Sequence, residues 1–311
     1  MRLSVCLWLV MASLVLASCA PSTAPAGLAN SSLHPLKVLA VETFLADVAQ
    51  NVAGDRLKVE ALMPIGVDPH AFEPTPGDLA KIADSQVLIV NGAGFEGWLQ
   101  KVLDNAGGQR QVIDASAGLT PRVPKADELV AADHPEGDPH FWLDPTKVVK
   151  YAENIRDGLS QADPAGADTY AKNAATYVAQ LNDLDQWIAG QVQAVPAARR
   201  LLVTNHESLG YFADRYGFRV VGAIVPSVTS NASPSAQELA ALTERIRATG
   251  ASAIFLENGA NVQLAEQLAR ETGVKVVTGL YTHSITLPGG LAPTYLAMMR
   301  YDTTAVVEAL K

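Results

Sequence analysis

The chain has 311 residues, with 32 acidic against 23 basic side chains and a formal net charge of −9. An acidic surface repels nucleic acid and anionic lipid and suits a protein that meets cations. Both cysteines, Cys6 and Cys19, lie near the N-terminus, so the rest of the chain offers neither a disulfide nor a thiolate for a metal.

Residues 1–18 read as an export signal. Arg2 starts it, and the apolar run Leu3–Leu16 is too short to span a bilayer as a mature helix. Leu16-Ala17-Ser18-Cys19 reads as a bacterial lipobox, which predicts cleavage before Cys19 and a diacylglycerol on its thiol. The Pro/Ser/Ala/Gly-rich stretch that follows, 19–36, reads as a tether with a reach of roughly 20–25 Å. The expected location is therefore extracytoplasmic, on the periplasmic side or outer surface, held to the membrane by lipid alone.

About 290 residues then remain, the size at which one core divides into two lobes. Val38–Thr43, Lys58–Met63, Val87–Asn91 and Gln111–Ala115 read as strands; Phe44–Ala53, Thr75–Ala83 and Gly97–Asn105 between them read as helices. The second half repeats the alternation. Its strands are Leu201–Thr204, Val220–Ile224, Ala253–Glu257 and Lys275–Thr278. Its helices are Leu209–Tyr216, Pro234–Thr249, Val262–Glu271 and Thr294–Leu310. Ser233 before Pro234 reads as a helix start, with Ser235 and Glu238 spaced as a capping box. Between the halves, Tyr170, Ala174, Tyr177, Leu181, Leu184, Ile188, Val192 and Val195 recur at steps of three and four, one apolar stripe on a helix of about eight turns. The expected fold is α/β: lobes 37–163 and 197–311, each with a mainly parallel sheet, joined by one long helix in 164–196. A helical link resists bending and predicts modest lobe closure.

Of six histidines, His34 falls in the tether and His134 in an acidic loop, where a solvated ring is the plain reading. The other four follow a strand or a break: His70, His140, His206 and His283, two from each half. Open α/β sheets place their ligand crevices at such loop ends. A single histidine there is more often structural than ligating. Four together point to one cation in the cleft between the lobes.

Three stretches carry a family resemblance: D-P-H-x-F-x-P-T-P-x-D at Asp68, D-P-H-F-W-L-D-P at Asp138 and T-x-H-x-x-x-G-Y-F-x-x-x-Y-G at Thr204. They resemble the zinc/manganese-type solute-binding proteins of bacterial ABC importers, the family 9 bacterial solute-binding proteins, from about Lys37 to the C-terminus. The resemblance implies a monomeric receptor working with a membrane permease, and it places metal ligands at His70, His140 and His206. Manganese-preferring members usually carry a glutamate where His206 stands. The family commonly uses aspartate as fourth ligand, where His283 stands here, and many zinc members carry a histidine-rich loop that is short in this chain, 121–137.

Imidazole suits zinc, copper, iron and nickel, whereas manganese favours oxygen ligands, so the set leans to Zn2+, with Mn2+, Fe2+ or copper as alternatives. Glu207, Asp144 and Glu257 are the expected carboxylates orienting the imidazoles. A zinc hydrolase would need an open coordination position and a general base, and no H-E-x-x-H helix is present. A haem, siderophore or cobalamin receptor would need aromatic- or arginine-lined loops, which these are not; an adhesin role leaves no mark in sequence. The reading is a receptor and not an enzyme.

Overall fold

The computed structural model describes residues 36–125, 128, 137–230 and 232–311. The signal, Cys19, His34 and His134 lie outside the described residues.

The first half alternates β1 (Val38–Ala40), α1 (Thr43–Ala53), β2 (Val59–Ala61), α2 (Pro76–Asp84), β3 (Val87–Val90), α3 (Leu99–Ala106) and β4 (Gln111–Asp114). Helices α4 (Pro145–Ala162) and α5 (Ala167–Val192) follow. The second half alternates β5 (Leu201–Thr204), α6 (Gly210–Tyr216), β6 (Arg219–Ala223), α7 (Ala236–Thr249), β7 (Ala253–Glu257), α8 (Val262–Thr272), β8 (Lys275–Leu280) and α9 (Tyr295–Leu310). Each half builds a four-stranded, wholly parallel sheet, in orders β2-β1-β3-β4 and β6-β5-β7-β8. The two sheets thus repeat one topology.

Strands buried on both faces read as continuous apolar runs, and period-two alternation sends successive residues to opposite sides. In β1 and β3, Val38, Ala40, Val87 and Ile89 face a central core, while Leu39, Leu88 and Val90 face an outer core with Ile82 of α2 and Val102 of α3. In β5 and β7, Leu202, Ala253 and Phe255 face the same central core, and Val203, Ile254 and Leu256 face Leu242, Ile246 and Leu268 outside. The central core therefore runs unbroken through both lobes.

Helix α5 carries the predicted stripe: Tyr170, Ala174, Tyr177, Leu181, Leu184, Ile188 and Val192 are all buried. It is shorter than expected, because Pro164–Gly166 forms a separate 3-10 turn before it. Polar ties fix it to each lobe. Asn173 Nδ2 donates to Val52 O at 3.2 Å in the first lobe, and Arg215 Nε and Nη2 donate to Asp185 at 2.9 and 2.6 Å in the second. Helix α7 starts two residues later than Ser233-Pro234 suggested. Its cap is Ser235, which accepts from Glu238 N while Glu238 accepts from Ser235 N. No helix among the described residues is long and apolar enough to cross a membrane.

Candidate metal centre

All four loop histidines sit at the C-terminal edges of the two sheets, where parallel strands open their crevice. His70 stands in a 3-10 turn, Pro69–Ala71, between β2 and α2; Asp68 Oδ1 accepts from His70 N at 3.0 Å and shapes that turn. His140 lies between β4 and α4 in a second Asp-Pro-His turn. There Asp138 Oδ1 accepts from His140 N at 2.9 Å and also meets ring Nδ1 at 2.8 Å. His206 follows β5, its carbonyl accepting from Thr204 Oγ1 at 2.7 Å. His283 follows β8, and the neighbouring Thr282 O accepts from Trp142 Nε1 at 2.6 Å, a buried tie between the lobes.

These turns bring one ring nitrogen of each histidine to within 4.8 Å of the other three. His140 Nε2 lies 3.3 Å from His70 Nε2 and 3.3 Å from His206 Nε2. A tetrahedral zinc with Zn–N bonds of ~2.0–2.1 Å has ligand–ligand edges of about 3.3–3.4 Å. His140 and His206 are wholly buried, His283 is 8% exposed, and His70 is half-buried. Phe95 and Trp142 wall the site, with Phe95 edge-on to His70 at 5.0 Å and Trp142 at 5.1 Å from His140. An apolar wall keeps water and its screening out.

The carboxylates behind the rings decide which nitrogens face inward. Asp138 on Nδ1 of His140 places that ring's proton on Nδ1 and its lone pair on Nε2. Glu257, the last residue of β7, brings its negative charge to two rings at once. Its Oε1 stands 3.1 Å from His206 Nδ1 and its Oε2 3.5 Å from His283 Nδ1. Nε2 of His140 and Nε2 of His206 face each other at 3.3 Å, and Nε2 of His283 is buried with no hydrogen-bond partner. Such nitrogens repel until a cation or proton sits between them. The donor set fits a divalent metal.

The charges respond accordingly. Burial pushes the Asp138 carboxyl up to about 7, against the pull of the His140 N–H and Arg122. Burial acts upward on Glu257 too, but His206 and His283 outweigh it and hold that carboxyl well below the usual range. Burial pulls His206 down, yet Glu257 leaves it above its ordinary value; in His283 burial wins and the ring is held below it.

Among the expected orienting carboxylates, Glu257 lies beside Nδ1 of His206 and of His283. Asp144 does not: its Oδ1 accepts from Thr146 N at 2.9 Å and Thr146 Oγ1 at 2.7 Å, capping α4 before Pro145. Glu207 lines a small cavity together with Arg122, Glu128 and Asp138. Asp138 was missed, although it sits in the same Asp-Pro-His pattern as Asp68. Beside His283 and Glu257 opens a cleft of about 500 Å³, also lined by Asp68, Asn205 and Ser230.

Comparison with known proteins agrees with this architecture. The family described as zinc-uptake complex component A, periplasmic (ZnuA), matches residues 38–309. The manganese-binding lipoprotein MntA of Halalkalibacterium halodurans is 33% identical over 275 residues, 88% of each chain. The iron ABC transporter substrate-binding lipoprotein MtsA of Streptococcus pyogenes is 27% identical over 313 residues, 99% of this chain and 98% of that one. The periplasmic zinc-binding protein TroA of Treponema pallidum superposes with a TM-score of 0.79 at 27% identity, covering 89% of this chain and 99% of TroA. The chain belongs to the ZnuA family of zinc-uptake complex components and, with it, to the metal-binding substrate receptors of ABC importers.

Proposed function

We propose that this protein captures zinc outside the cytoplasmic membrane, held there by lipid on Cys19, and delivers it as a monomer to the permease of an ABC importer. His70, His140, His206 and His283 are the ligands, presented by lobes 37–163 and 197–311 on either side of the 164–196 connection. The observation that carries the reading is four imidazoles sharing one small volume, with Asp138 and Glu257 on the far sides of the rings. The relatives are named for manganese, iron and zinc, so the metal is argued from ligand chemistry, and an all-nitrogen set favours zinc over manganese. Four protein ligands also leave no position for the reactive water of a zinc hydrolase.

Protein purified without chelators should carry one zinc per chain by elemental analysis and exchange it for manganese only weakly. Replacing His283 by alanine should weaken zinc binding clearly in a competition titration. Preferential retention of manganese or iron would overturn the choice of metal, and an unchanged affinity in the His283 variant would place the fourth ligand elsewhere.

A further inference from the structure

Three of the four rings stand on firm ground. His206 follows a strand, His140 is held at two points by Asp138, and the residue before His283 is tied to Trp142. His70 differs. It ends a loop that leaves β2 and lines the cleft through Gly66, Val67 and Asp68, and its ring is the most exposed of the four. This loop is fastened to the opposite lobe at two points. Gly66 N donates to Ser284 Oγ at 2.8 Å, and that hydroxyl also accepts from Thr43 Oγ1 at 3.2 Å. Two residues on, Asp68 Oδ2 accepts from Ser230 Oγ, in the loop between β6 and α7. The other oxygen of that carboxylate forms the turn carrying His70.

Building on the zinc-receptor reading, we propose that Gly66–His70 is a strap whose cross-cleft bonds to Ser230 and Ser284 set how slowly the metal leaves. Asp68 is its positioning residue. One carboxylate holds both the ligand turn and the far lobe, so His70 cannot swing off the metal without the strap yielding. Ser230 is not one of the four proposed ligands, and its hydroxyl donates to Asp68, which separates its effect from ligation. Related complexes differ mostly in dissociation rate, and a latch belongs to that rate.

The test is release of zinc from the loaded full chain into excess EDTA, followed by stopped flow with a zinc indicator. Ser230→Ala should release zinc about tenfold faster, the lower end for a hydrogen bond to a charged group, with association unchanged. Ser230→Thr, which keeps the hydroxyl, should restore the slow rate. In an Asp68→Ala background, Ser230→Ala should add nothing. Release unchanged in Ser230→Ala, or an undiminished effect of it without Asp68, would overturn the strap. Should Ser230→Ala fail to fold, Ser284→Ala applies the same test from the other end. A wild-type chain that takes up no zinc at all would instead refute the receptor reading.

Discussion

At the scale of single residues, the site depends on Glu257 almost as much as on its histidines. Four neutral imidazoles leave a divalent charge uncompensated, and Glu257 supplies a negative charge against two of them. Glu257→Gln keeps the size and removes the charge. It should weaken zinc affinity by about 10–100-fold, the usual cost of losing such a partner, read by competition with a chelating dye. An affinity within twofold of wild type would show that the rings need no such support. The histidines were legible because the Asp-Pro-His and Thr-x-His patterns mark them. Their partners were less so, since a carboxylate's target depends on where its side chain points. Asp68 and Asp138 occupy the same motif, yet Asp138 meets its ring at Nδ1 while Asp68 divides its two oxygens between the His70 turn and Ser230. Asp144, followed by Pro145 and Thr146, carries the ordinary signature of a helix cap, and that local reading is the one the fold adopts.

At the scale of elements, most strands and helices announced themselves through periodicity. Strands β5 and β7 have their expected limits because each is an apolar run ended by a polar loop. Helix α7 was legible in its capping box but blurred by Pro234, which also favours a first turn. The length of helix α4 follows from Val148, Tyr151, Ala152, Ile155 and Leu159, which pack into the central core. That packing explains a glycine in its last turns. A Cβ at Gly158 would lie 2.4 Å from Ile113 Cδ1 and 2.5 Å from Cγ1, on strand β4. Alanine inside a helix normally gains ~1 kcal/mol over glycine. Here overpacking, at ~1–3 kcal/mol, should win, so Gly158→Ala should lower stability in urea titrations. A more stable variant would show that α4 and β4 can move apart.

At the scale of the whole molecule, burial of acids sets how stability depends on pH. Burial raises Asp47 to about 6, Asp138 to about 7 and Asp302 to about 8, and the neighbouring Glu42 and Glu96 are raised in the same way. A raised folded-state value means that the native chain holds protons the unfolded chain releases near pH 4, so these groups destabilise progressively as pH rises toward 8. His206, held above its ordinary value, acts in the same direction; buried His283 opposes it up to about pH 6.5. The depressed value of Glu257 matters only on the acid side, below about pH 4.5. The metal-free protein should therefore melt at a lower temperature at pH 8 than at pH 5.5, and saturating zinc should recover the loss by mass action. A melting temperature that climbs steadily over that interval would contradict this reading.

The central core is common property of the two lobes. Phe44 and Trp142 from one side, Phe255 and Tyr295 from the other, and the stripe of α5 between them belong to a single apolar cluster. Splitting the gene at the connecting helix would thus yield two fragments with flayed interiors, not two small proteins. Evolution could tune the rim of this receptor freely, but it could not have exchanged one half for a stranger's without recutting the seam.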